Sequence, residues 1–596
     1  MAPVLRSCTM GGEKRDRSPV AEVRRRDKAG GAAPVAATSA PSPFELSRSY
    51  TLTTRRDFLA GTAGAFATMI GAPSIVLPYR AAHDLVIRGG HVIDGTGAAP
   101  VEMDVAVQGG RIAEVARRVN DRGAVEIDAR GVAVAPGFID IHSHGDGSIF
   151  SDPRSESVIR QGVTTIVVGQ DGSSRFPSHR GEDEDGGYAT FTALATALDG
   201  LPASVNVASM IGLGTIRAVV VGADDRPATD AELQRMTEMV RDAIAAGACG
   251  ASSGLEYTPG AFASRAELAA LCAPLKAVQL PYATHMRNED DRVLDAIDES
   301  IDVARKAGCP LQISHLKMQG PRNWTKLDDA FRHIDEARRG GMDITFDRYP
   351  YIAYQTGLTN LFPVWSRDGG TAAFLRRLDD ASTSDRIKRE ALAKVDLIGG
   401  WHNVLISSVG RGGDSTAAGK RLDDYAKARG VDPYDATVTL LRSSNASMGM
   451  VGFAMSEENL DRVLAHPLGM VCSDGGAFAI DGPTRRGSPH PRGIGTFPRV
   501  LGRYVRERKA LSLEQAVRKM SGMPAARLKL ADRGRIAPRF AADLVVFDPA
   551  TVTDRATFEE PFQYPDGIHV VVVNGQIALR DGQRTTAAGG KTLRPR

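Results

Sequence analysis

Six short apolar segments of the chain each end in a histidine or aspartate, and stretches with helical periodicity separate most of them. One such stretch begins with a capping box at Thr229 and Glu232 and continues with apolar residues on one helix face. Buried parallel strands that end in polar residues present those residues at the C-terminal face of a (β/α)8 barrel. The pattern therefore predicts an α/β fold with a distorted TIM-type barrel over residues 136–530. The six segments are 138–144, 165–171, 282–285, 311–315, 344–347 and 470–474.

Strand-like patterns flank the predicted barrel on both sides. Short apolar or alternating runs between glycine-containing turns lie within residues 83–135, and two more, 542–547 and 569–575, lie near the C-terminus. Neither end has enough strands for a stable sheet alone. We therefore predict that residues 83–135 and 531–596 join into one small β-sandwich domain beside the barrel.

Residues 366–435 fit the alternation of strands and helices badly. They contain charged helical stretches and a glycine-rich segment, 409–419. Long segments that interrupt a compact repeat are often functional loops or lids. This favours an insertion that covers the mouth of the barrel as a lid.

The N-terminal part of the chain carries an export signature. Residues 1–50 are rich in Arg, Ala, Pro and Ser without an apolar period, which predicts disorder. Segment 51–80 places Arg55 and Arg56 before Phe58 and an uncharged stretch, and this resembles a twin-arginine (Tat) signal. The alternative is a membrane anchor helix, which the glycines and prolines of that stretch disfavour. The resemblance implies the Tat machinery as a partner, a periplasmic or secreted location and no stable membrane anchor.

Composition narrows the class of protein only slightly. The chain has 596 residues, of which 42% are hydrophobic and 24% charged, as is typical of a soluble globular protein with more than one domain. Its net charge of +3 gives no reason to expect nucleic acid as a partner. The cysteines form no CxxC pair, so a cysteine zinc finger is not predicted.

His142 and His144 are two residues apart at a strand end, so both side chains point the same way and can hold one ion. Taken alone, such a pair fits surface or core imidazoles equally well. The preceding segment, Ala135-Pro136-Gly137-Phe138-Ile139-Asp140, resembles the first barrel strand of the amidohydrolase superfamily. The resemblance covers roughly residues 83–580 and implies a metal-dependent hydrolase with zinc, as one or two divalent ions.

Six motifs in order resemble one branch of that superfamily, the D-aminoacylases or N-acyl-D-amino-acid deacylases. They lie at 250–257, 284–289, 312–317, 346–351, 473–475 and 490–499. The implied metal ligands are His285 and His315 at the more buried position and His142 and His144 at the second. The implied acid/base is Asp474, and the residues implied to face the substrate carboxylate are Tyr257, Lys317, Tyr351 and Arg492. The implied substrate is an N-acyl-D-amino acid or a dipeptide with a C-terminal D-residue.

One position departs from that branch. Its second strand typically ends in Gly-Asn-Cys-Gly, with the cysteine as a metal ligand, whereas this chain has Gly169-Gln170-Asp171-Gly172. We predict that Asp171 is an oxygen ligand that can bind Zn²⁺ and bridge two ions. A turn-forming aspartate before a glycine is the alternative. Zinc held by Asp171, His285 and His315 would lower the pKa of its bound water to about 7, and Asp474 would move the proton.

Two other functions stay open at this point. A cyclic amide hydrolase, like the hydantoinases and dihydroorotases, usually carries a modified lysine on the fourth strand, and the comparable stretch 250–257 contains no lysine. A non-catalytic exported binding protein could also use this scaffold. The four ligand histidines together with Asp171 and Asp474 argue against that second alternative.

Overall fold

The computed structural model describes residues 81–178 and 186–595. The predicted extension 1–50 and the predicted Tat segment 51–80 lie outside the described residues. Within the described part of the chain, no helix combines the length and the apolar character that a membrane crossing requires.

The strands alternate with helices over most of the described chain. In chain order the strands are β1 (His83–Val92), β2 (Val101–Gln108), β3 (Arg111–Ala116), β4 (Gly123–Asp128), β5 (Ala133–Pro136), β6 (Phe138–Asp140), β7 (Val163–Val168), β8 (Asn206–Ser209), β9 (Ile211–Gly212), β10 (Ala251–Gly254), β11 (Tyr282–His285), β12 (Leu311–Ile313), β13 (Ile344–Arg348), β14 (Ala353–Gly357), β15 (Val404–Val409), β16 (Met448–Phe453), β17 (Gly469–Val471), β18 (Leu544–Phe547), β19 (Ile568–Val573), β20 (Gln576–Arg580) and β21 (Gln583–Arg584).

The α-helices are α1 (Ser148–Ser151), α2 (Glu156–Ile159), α3 (Phe191–Asp199), α4 (Leu213–Val220), α5 (Asp230–Ala245), α6 (Arg265–Cys272), α7 (Leu275–Val278), α8 (Val293–Ala307), α9 (Leu327–Arg339), α10 (Gly370–Arg377), α11 (Ser384–Leu397), α12 (Leu422–Arg429), α13 (Pro433–Ser443), α14 (Glu457–Ala465), α15 (Arg492–Arg499), α16 (Leu513–Met520) and α17 (Gly522–Arg527). The predicted capping box at Thr229 is present at the start of α5. Helix α8 ends at Ala307 and is capped by Gly308, which adopts a left-handed conformation.

Parallel strands form the barrel. Strand β7 pairs with β6 and β8, and β9, which follows β8 directly, begins a second parallel run through β10, β11, β12, β13 and β17. The ring closes between the ends of β17 and β6, where the Asp474 N–H donates to the His142 carbonyl over 2.8 Å. The barrel is distorted, as predicted, because Met210 interrupts the third strand between β8 and β9. Polar residues that follow these strands therefore meet at one mouth.

Alternation along the barrel strands divides their apolar side chains between two cores. Ile166 and Val168 of β7 belong to the cluster that packs against the surrounding helices. Val167, between them, packs in a second cluster with Ile139 and Ala283 of neighbouring strands. This period of two is what a strand covered on both faces requires.

Both ends of the described chain join in one nine-stranded sheet. Strand β18 pairs antiparallel with β5, with Leu544 opposite Pro136, and this pairing links the two halves. Strands from residues 83–136 and 544–584 thus share one sheet. The last residues depart from the predicted boundary, because the Val207 N–H donates to the Lys591 carbonyl over 3.0 Å and ties them to barrel strand β8.

The insertion is larger than the predicted range 366–435. Strands β14 and β15 both pair antiparallel with β16 and form a separate three-stranded sheet, so the insertion includes residues 353–453. Helices α10 to α13 lie between these strands along the chain. The charged helices suggested the narrower range, because the flanking strands are short and resemble further barrel strands in sequence.

Candidate metal centre and active site

The four predicted histidine ligands converge at the mouth of the barrel. His142 and His144 follow β6, His285 ends β11, and His315 follows β12. The ring centroids of His142 and His144 are 5.3 Å apart, those of His142 and His315 5.1 Å, and those of His285 and His315 4.7 Å. Residues from distant parts of the sequence thus form one cluster because their strands are neighbours in the barrel.

Asp171 lies between the two histidine pairs. One carboxylate oxygen, Oδ1, is 3.4 Å from His142 Nε2. The other, Oδ2, is 3.4 Å from both His144 Nε2 and His315 Nε2 and 3.7 Å from His285 Nδ1. Two sets of potential ligands therefore share this carboxylate, each with its ligand atoms within 4.8 Å of one another. The sets are His142, His144, Asp171 and Asp474, and Asp171, His285 and His315.

Several buried nitrogen and oxygen atoms of this histidine–aspartate cluster have no hydrogen-bond partner among the described residues and are available to a cation. Both ring nitrogens of His142 and Oδ1 of Asp171 are buried without a hydrogen-bond partner among the described residues. Buried polar atoms normally have partners, because leaving them unpaired costs free energy. Imidazole nitrogens and a carboxylate oxygen are ligands for divalent metals such as zinc. The donor set therefore fits a metal ion.

Three residues of the cluster have unusual backbone conformations. The φ angles of Asp171, His315 and Asp474 are 51°, 37° and 49°, in the left-handed region that non-glycine residues rarely adopt. Each residue comes shortly after a barrel strand. Surrounding contacts hold these conformations: the His315 N–H, for example, donates to Asp347 Oδ1 over 2.8 Å. Strained residues of this kind cluster at functional sites.

Asp474 contacts the histidines from the side of β17. Its Oδ1 is 3.0 Å from His144 Nε2, and its Oδ2 accepts a hydrogen bond from Arg492 Nη1 over 2.6 Å. Burial alone would raise the pKa of Asp474, but the positive charges of Arg492, His315 and His142 hold it below its ordinary value. The carboxylate is therefore ionised and fixed in orientation.

Carboxylates also stand behind three of the histidines. Glu256 Oε2 is 3.4 Å from His285 Nε2, Glu289 Oε1 is 3.0 Å from His315 Nδ1, and Asp347 Oδ1 is 3.6 Å from His142 Nδ1. A carboxylate behind a ligating histidine fixes the ring and its tautomer. Glu256 and Glu289 were not predicted as site residues, although they lie in the motifs 250–257 and 284–289.

The acidic surroundings raise the pKa values of His142, His144 and His285. Burial would lower the pKa of His285, but Glu289, Asp171 and Glu256 raise it to about 10. In the same way, Asp171 and Asp474 overcome the effect of burial on His144 and raise its pKa to about 9. The negative potential that favours protonated rings also favours a divalent cation.

A cavity of about 730 Å³ opens above the cluster. Its wall includes glycines at which the loops after neighbouring strands meet. A Cβ added at Gly254 would lie 2.1 Å from the Asp171 carbonyl oxygen, and one at Gly172 would lie 2.7 Å from the Gly254 nitrogen. Glycine at these two positions lets the loop that carries Asp171 pack close to β10.

Three of the four predicted carboxylate-binding residues line this cavity, namely Tyr257, Lys317 and Arg492. Tyr351 does not line it: its ring packs against His490 at 5.0 Å and lies under the Arg499 guanidinium. The Tyr351 N–H donates to the Tyr349 carbonyl over 3.0 Å, and this tight turn directs the later tyrosine away from the site. Tyr349 lines the cavity in its place. The prediction that Tyr351 faces the substrate is therefore corrected to Tyr349, two residues earlier in the same motif.

Comparison with known proteins agrees with this geometry. The model of the Amidohydrolase family matches residues 125–388 and 476–579. N-acyl-D-aspartate deacylase of Alcaligenes xylosoxydans xylosoxydans is 36% identical over 86% of this chain and 95% of its own length.

Solved structures give the same grouping. N-acyl-D-glutamate deacylase from Bordetella bronchiseptica, complexed with zinc and a phosphonate mimic of the tetrahedral intermediate, is 34% identical with a TM-score of 0.74 and covers 86% of this chain and 99% of its own. A D-aminoacylase with a binuclear metal centre is 35% identical with a TM-score of 0.73 and covers 86% of this chain and 100% of its own. L-hydantoinase from Arthrobacter aurescens is 18% identical with a TM-score of 0.52, which shows a shared fold only.

The chain therefore belongs to the amidohydrolase family of metal-dependent hydrolases. Within that family it groups with the D-aminoacylases, the N-acyl-D-amino-acid deacylases.

Proposed function

We propose that this chain hydrolyses the amide bond of N-acyl-D-amino acids, or of dipeptides with a C-terminal D-residue, with zinc as its metal. The observation that carries the proposal is the position of Asp171 between two histidine pairs, beside Asp474, on the floor of a cavity that fits a small substrate. The grouping with D-aminoacylases supports the choice of substrate.

The residues around the centre have distinct roles in this reaction. Bound zinc would supply Lewis acidity, which lowers the pKa of a bound water to about 7 and polarises the amide carbonyl. Asp474 accepts the proton of the attacking water and passes it to the leaving nitrogen. Arg492, held 2.6 Å from Asp474 Oδ2, keeps that carboxylate ionised and oriented. A covalent acyl-enzyme is not needed.

The α-carboxylate of the substrate has a binding partner next to the acid/base. Arg492 Nε is buried without a hydrogen-bond partner among the described residues, as is the Tyr349 hydroxyl. The Arg492 guanidinium lies 4.6 Å from the centre of the Tyr349 ring, so the two groups are neighbours. We infer that Arg492 and Tyr349 bind the carboxylate through charge-assisted hydrogen bonds.

Asp171 also bears on the number of ions. Its two oxygens face different histidines, Oδ1 towards His142 and Oδ2 towards His315. Asp171 would therefore belong to both sets of ligands, and we propose that the residues present would hold one or two divalent ions. A single ion bound by Asp171, His285 and His315 is the minimal centre.

The structure of the site favours this function over the alternatives. Among the described lining residues, the one lysine is Lys317, and it pairs with Glu289 rather than standing between the histidine pairs as a bridging lysine would. A non-catalytic binding protein would have no need of Asp474 and Arg492 beside a metal centre.

A hydrolysis screen tests the proposal. Purified protein loaded with zinc is given paired N-acetyl-L- and N-acetyl-D-amino acids, and the released amine is measured together with the metal content. We expect release from the D-compounds only. Opening of hydantoins or dihydroorotate without release of a free amine would instead support the cyclic amide alternative, and the absence of any turnover by metal-loaded protein would support a binding role.

We also propose that the chain is exported through the Tat pathway to the periplasm or beyond. The support is the sequence Arg55-Arg56 ahead of the uncharged stretch 58–79. A fusion of residues 1–82 to a reporter that is active only after export tests this. Replacement of both arginines by lysine should abolish export, and reporter activity that persists in that variant would contradict the proposal.

A further inference from the structure

The cavity above the metal centre contains few positive charges. Apart from the histidines, Lys317 and Arg492 are the cationic side chains among the described residues that line it. The acidic side chains on the same lining are Asp171, Asp474, Glu256 and Glu289. Two side-chain cations other than histidine are therefore available to a substrate carboxylate on this wall.

Arg492 serves the α-carboxylate in the proposed function, which leaves Lys317 for any second acidic group. Lys317 Nζ donates to Glu289 Oε1 over 2.5 Å and lies 2.7 Å from His315 Nδ1. The side chains of Lys317 and Glu289 are only 3% and 1% exposed. A second substrate carboxylate that bound Lys317 would have to take it from Glu289 and leave that buried carboxylate without its cation, which is strongly unfavourable.

Glu289 is held in place from a second direction. Gln319 Nε2 donates to Glu289 Oε2 over 2.9 Å, and the Gln319 N–H donates to the Glu289 carbonyl over 2.7 Å. Both carboxylate oxygens of Glu289 therefore have a hydrogen-bond donor, Lys317 at Oε1 and Gln319 at Oε2. The ion pair is therefore a fixed part of the cavity wall, and Lys317 is already occupied.

The rest of the wall gives no substitute cation. Tyr257, Tyr354, Phe478 and Pro259 present aromatic and apolar surface to the cavity. Glu256 adds a further carboxylate to the wall, and Asn360 Nδ2 donates to its Oε2 over 3.1 Å. Such a wall accepts neutral side chains and repels acidic ones.

We propose that this enzyme acts on N-acyl derivatives of D-amino acids with neutral side chains and discriminates against those of D-aspartate and D-glutamate. This inference rests on the proposed function. It separates the chain from relatives of similar identity that are named for D-aspartate and D-glutamate. The group that sets the preference is the Lys317–Glu289 ion pair.

The first test compares four substrates on the zinc-loaded full chain. We expect kcat/KM for N-acetyl-D-leucine and N-acetyl-D-methionine to exceed that for N-acetyl-D-aspartate and N-acetyl-D-glutamate by about 100-fold or more, as a missing charge partner produces. Values for the acidic compounds within tenfold of the neutral ones, or above them, overturn this inference and leave the proposed function standing. No turnover of any of the four overturns both.

The second test removes the carboxylate that pairs with Lys317. In Glu289→Gln the ammonium group loses its fixed partner, and we expect the ratio of kcat/KM for acidic over neutral substrates to rise about tenfold. The matched control is Glu299→Gln, which also removes a buried glutamate, one paired with Arg287 at 2.9 Å and absent from the cavity lining. The ratio should not change in the control. An unchanged ratio in Glu289→Gln would show that the ion pair does not set the preference.

Discussion

The two histidine pairs of the centre differ in how firmly they are held. The side chains of His285 and His315 are 6% and 2% exposed, and a buried glutamate stands behind each ring. In the other pair the His142 side chain is fully buried, with Asp347 Oδ1 3.6 Å from its Nδ1, and only His144 is open: its side chain is 37% exposed and its Nε2 faces Asp171 and Asp474. Pre-oriented ligands bind metal more tightly. We therefore expect the side of His285 and His315, called the closed side, to retain the ion, and the side of His144 and Asp474, called the open side, to be where the reaction occurs.

The largest effect should come from the open side. Asp474→Asn keeps the shape of the side chain but cannot accept the proton of the attacking water. We expect kcat to fall by about 10²–10⁴-fold, the usual contribution of general acid–base catalysis. Elemental analysis should still find the ion of the closed side. Asp581→Asn, in an exposed turn with a similar positive φ, is the control; turnover that survives in Asp474→Asn would refute the acid/base assignment.

Removal of the metal should destabilise the whole barrel mouth. The bound state is stabilised by about 2.7 kcal/mol when free metal is at 100 times its dissociation constant. Dialysis against a chelator should therefore lower the midpoint of thermal unfolding, and added zinc should restore it. His285→Ala should show little response to zinc, whereas His144→Ala should keep most of it. If zinc raised the midpoint of thermal unfolding equally in these two variants, the two sides would not differ in how they bind the metal.

The next largest effect, on metal affinity, should come from the glutamates that contact His285 and His315. In Glu256→Gln the partner of His285 loses its charge but keeps its size. We expect metal affinity, measured by competition with a chromophoric chelator, to fall about 10–100-fold, as is typical for partners behind a ligand. Glu390→Gln, on the insertion helix α11 and hydrogen-bonded to Trp365, is the comparison variant. Unchanged affinity in Glu256→Gln would mean that the buried carboxylate does not orient the ring.

The smallest effect on metal affinity should come from Lys394, which lies behind Glu256. Lys394 of α11 donates to Asp290 Oδ2 over 2.6 Å, and its charge also lowers the pKa of Glu256. We expect Lys394→Met to weaken metal binding by about tenfold or less, the low end for such indirect partners. Lys388→Met, whose lysine on the same helix lies 3.7 Å from Asp435, should leave the affinity unchanged. A loss as large as that of Glu256→Gln would show that this lysine acts more directly.

The strand ends were predictable because hydrophobic runs and the polar residues after them are local patterns. Asp171, for example, was expected at the centre from its place after β7, and the structure puts it between both histidine pairs. Glu256 and Glu289 were not expected, because their importance arises from contacts across neighbouring strands. Tyr349 lines the cavity and Tyr351 does not because of a single turn after β13. The hydrophobic periodicity of the sequence does not predict such a turn. The left-handed conformation of His315 is likewise invisible in the sequence.

Helix α11 gives the insertion a part in the electrostatics of the barrel. Lys394 neutralises Asp290, whose side chain is 8% exposed, and its own side chain is only 17% exposed. If the entire insertion moved away from the barrel, Lys394 would separate from Asp290, and Glu256 would lose a nearby positive charge. Helix α11 is therefore tied to the loop after β11 by a largely buried ion pair, and any displacement of the insertion that moved this helix would have to break that pair.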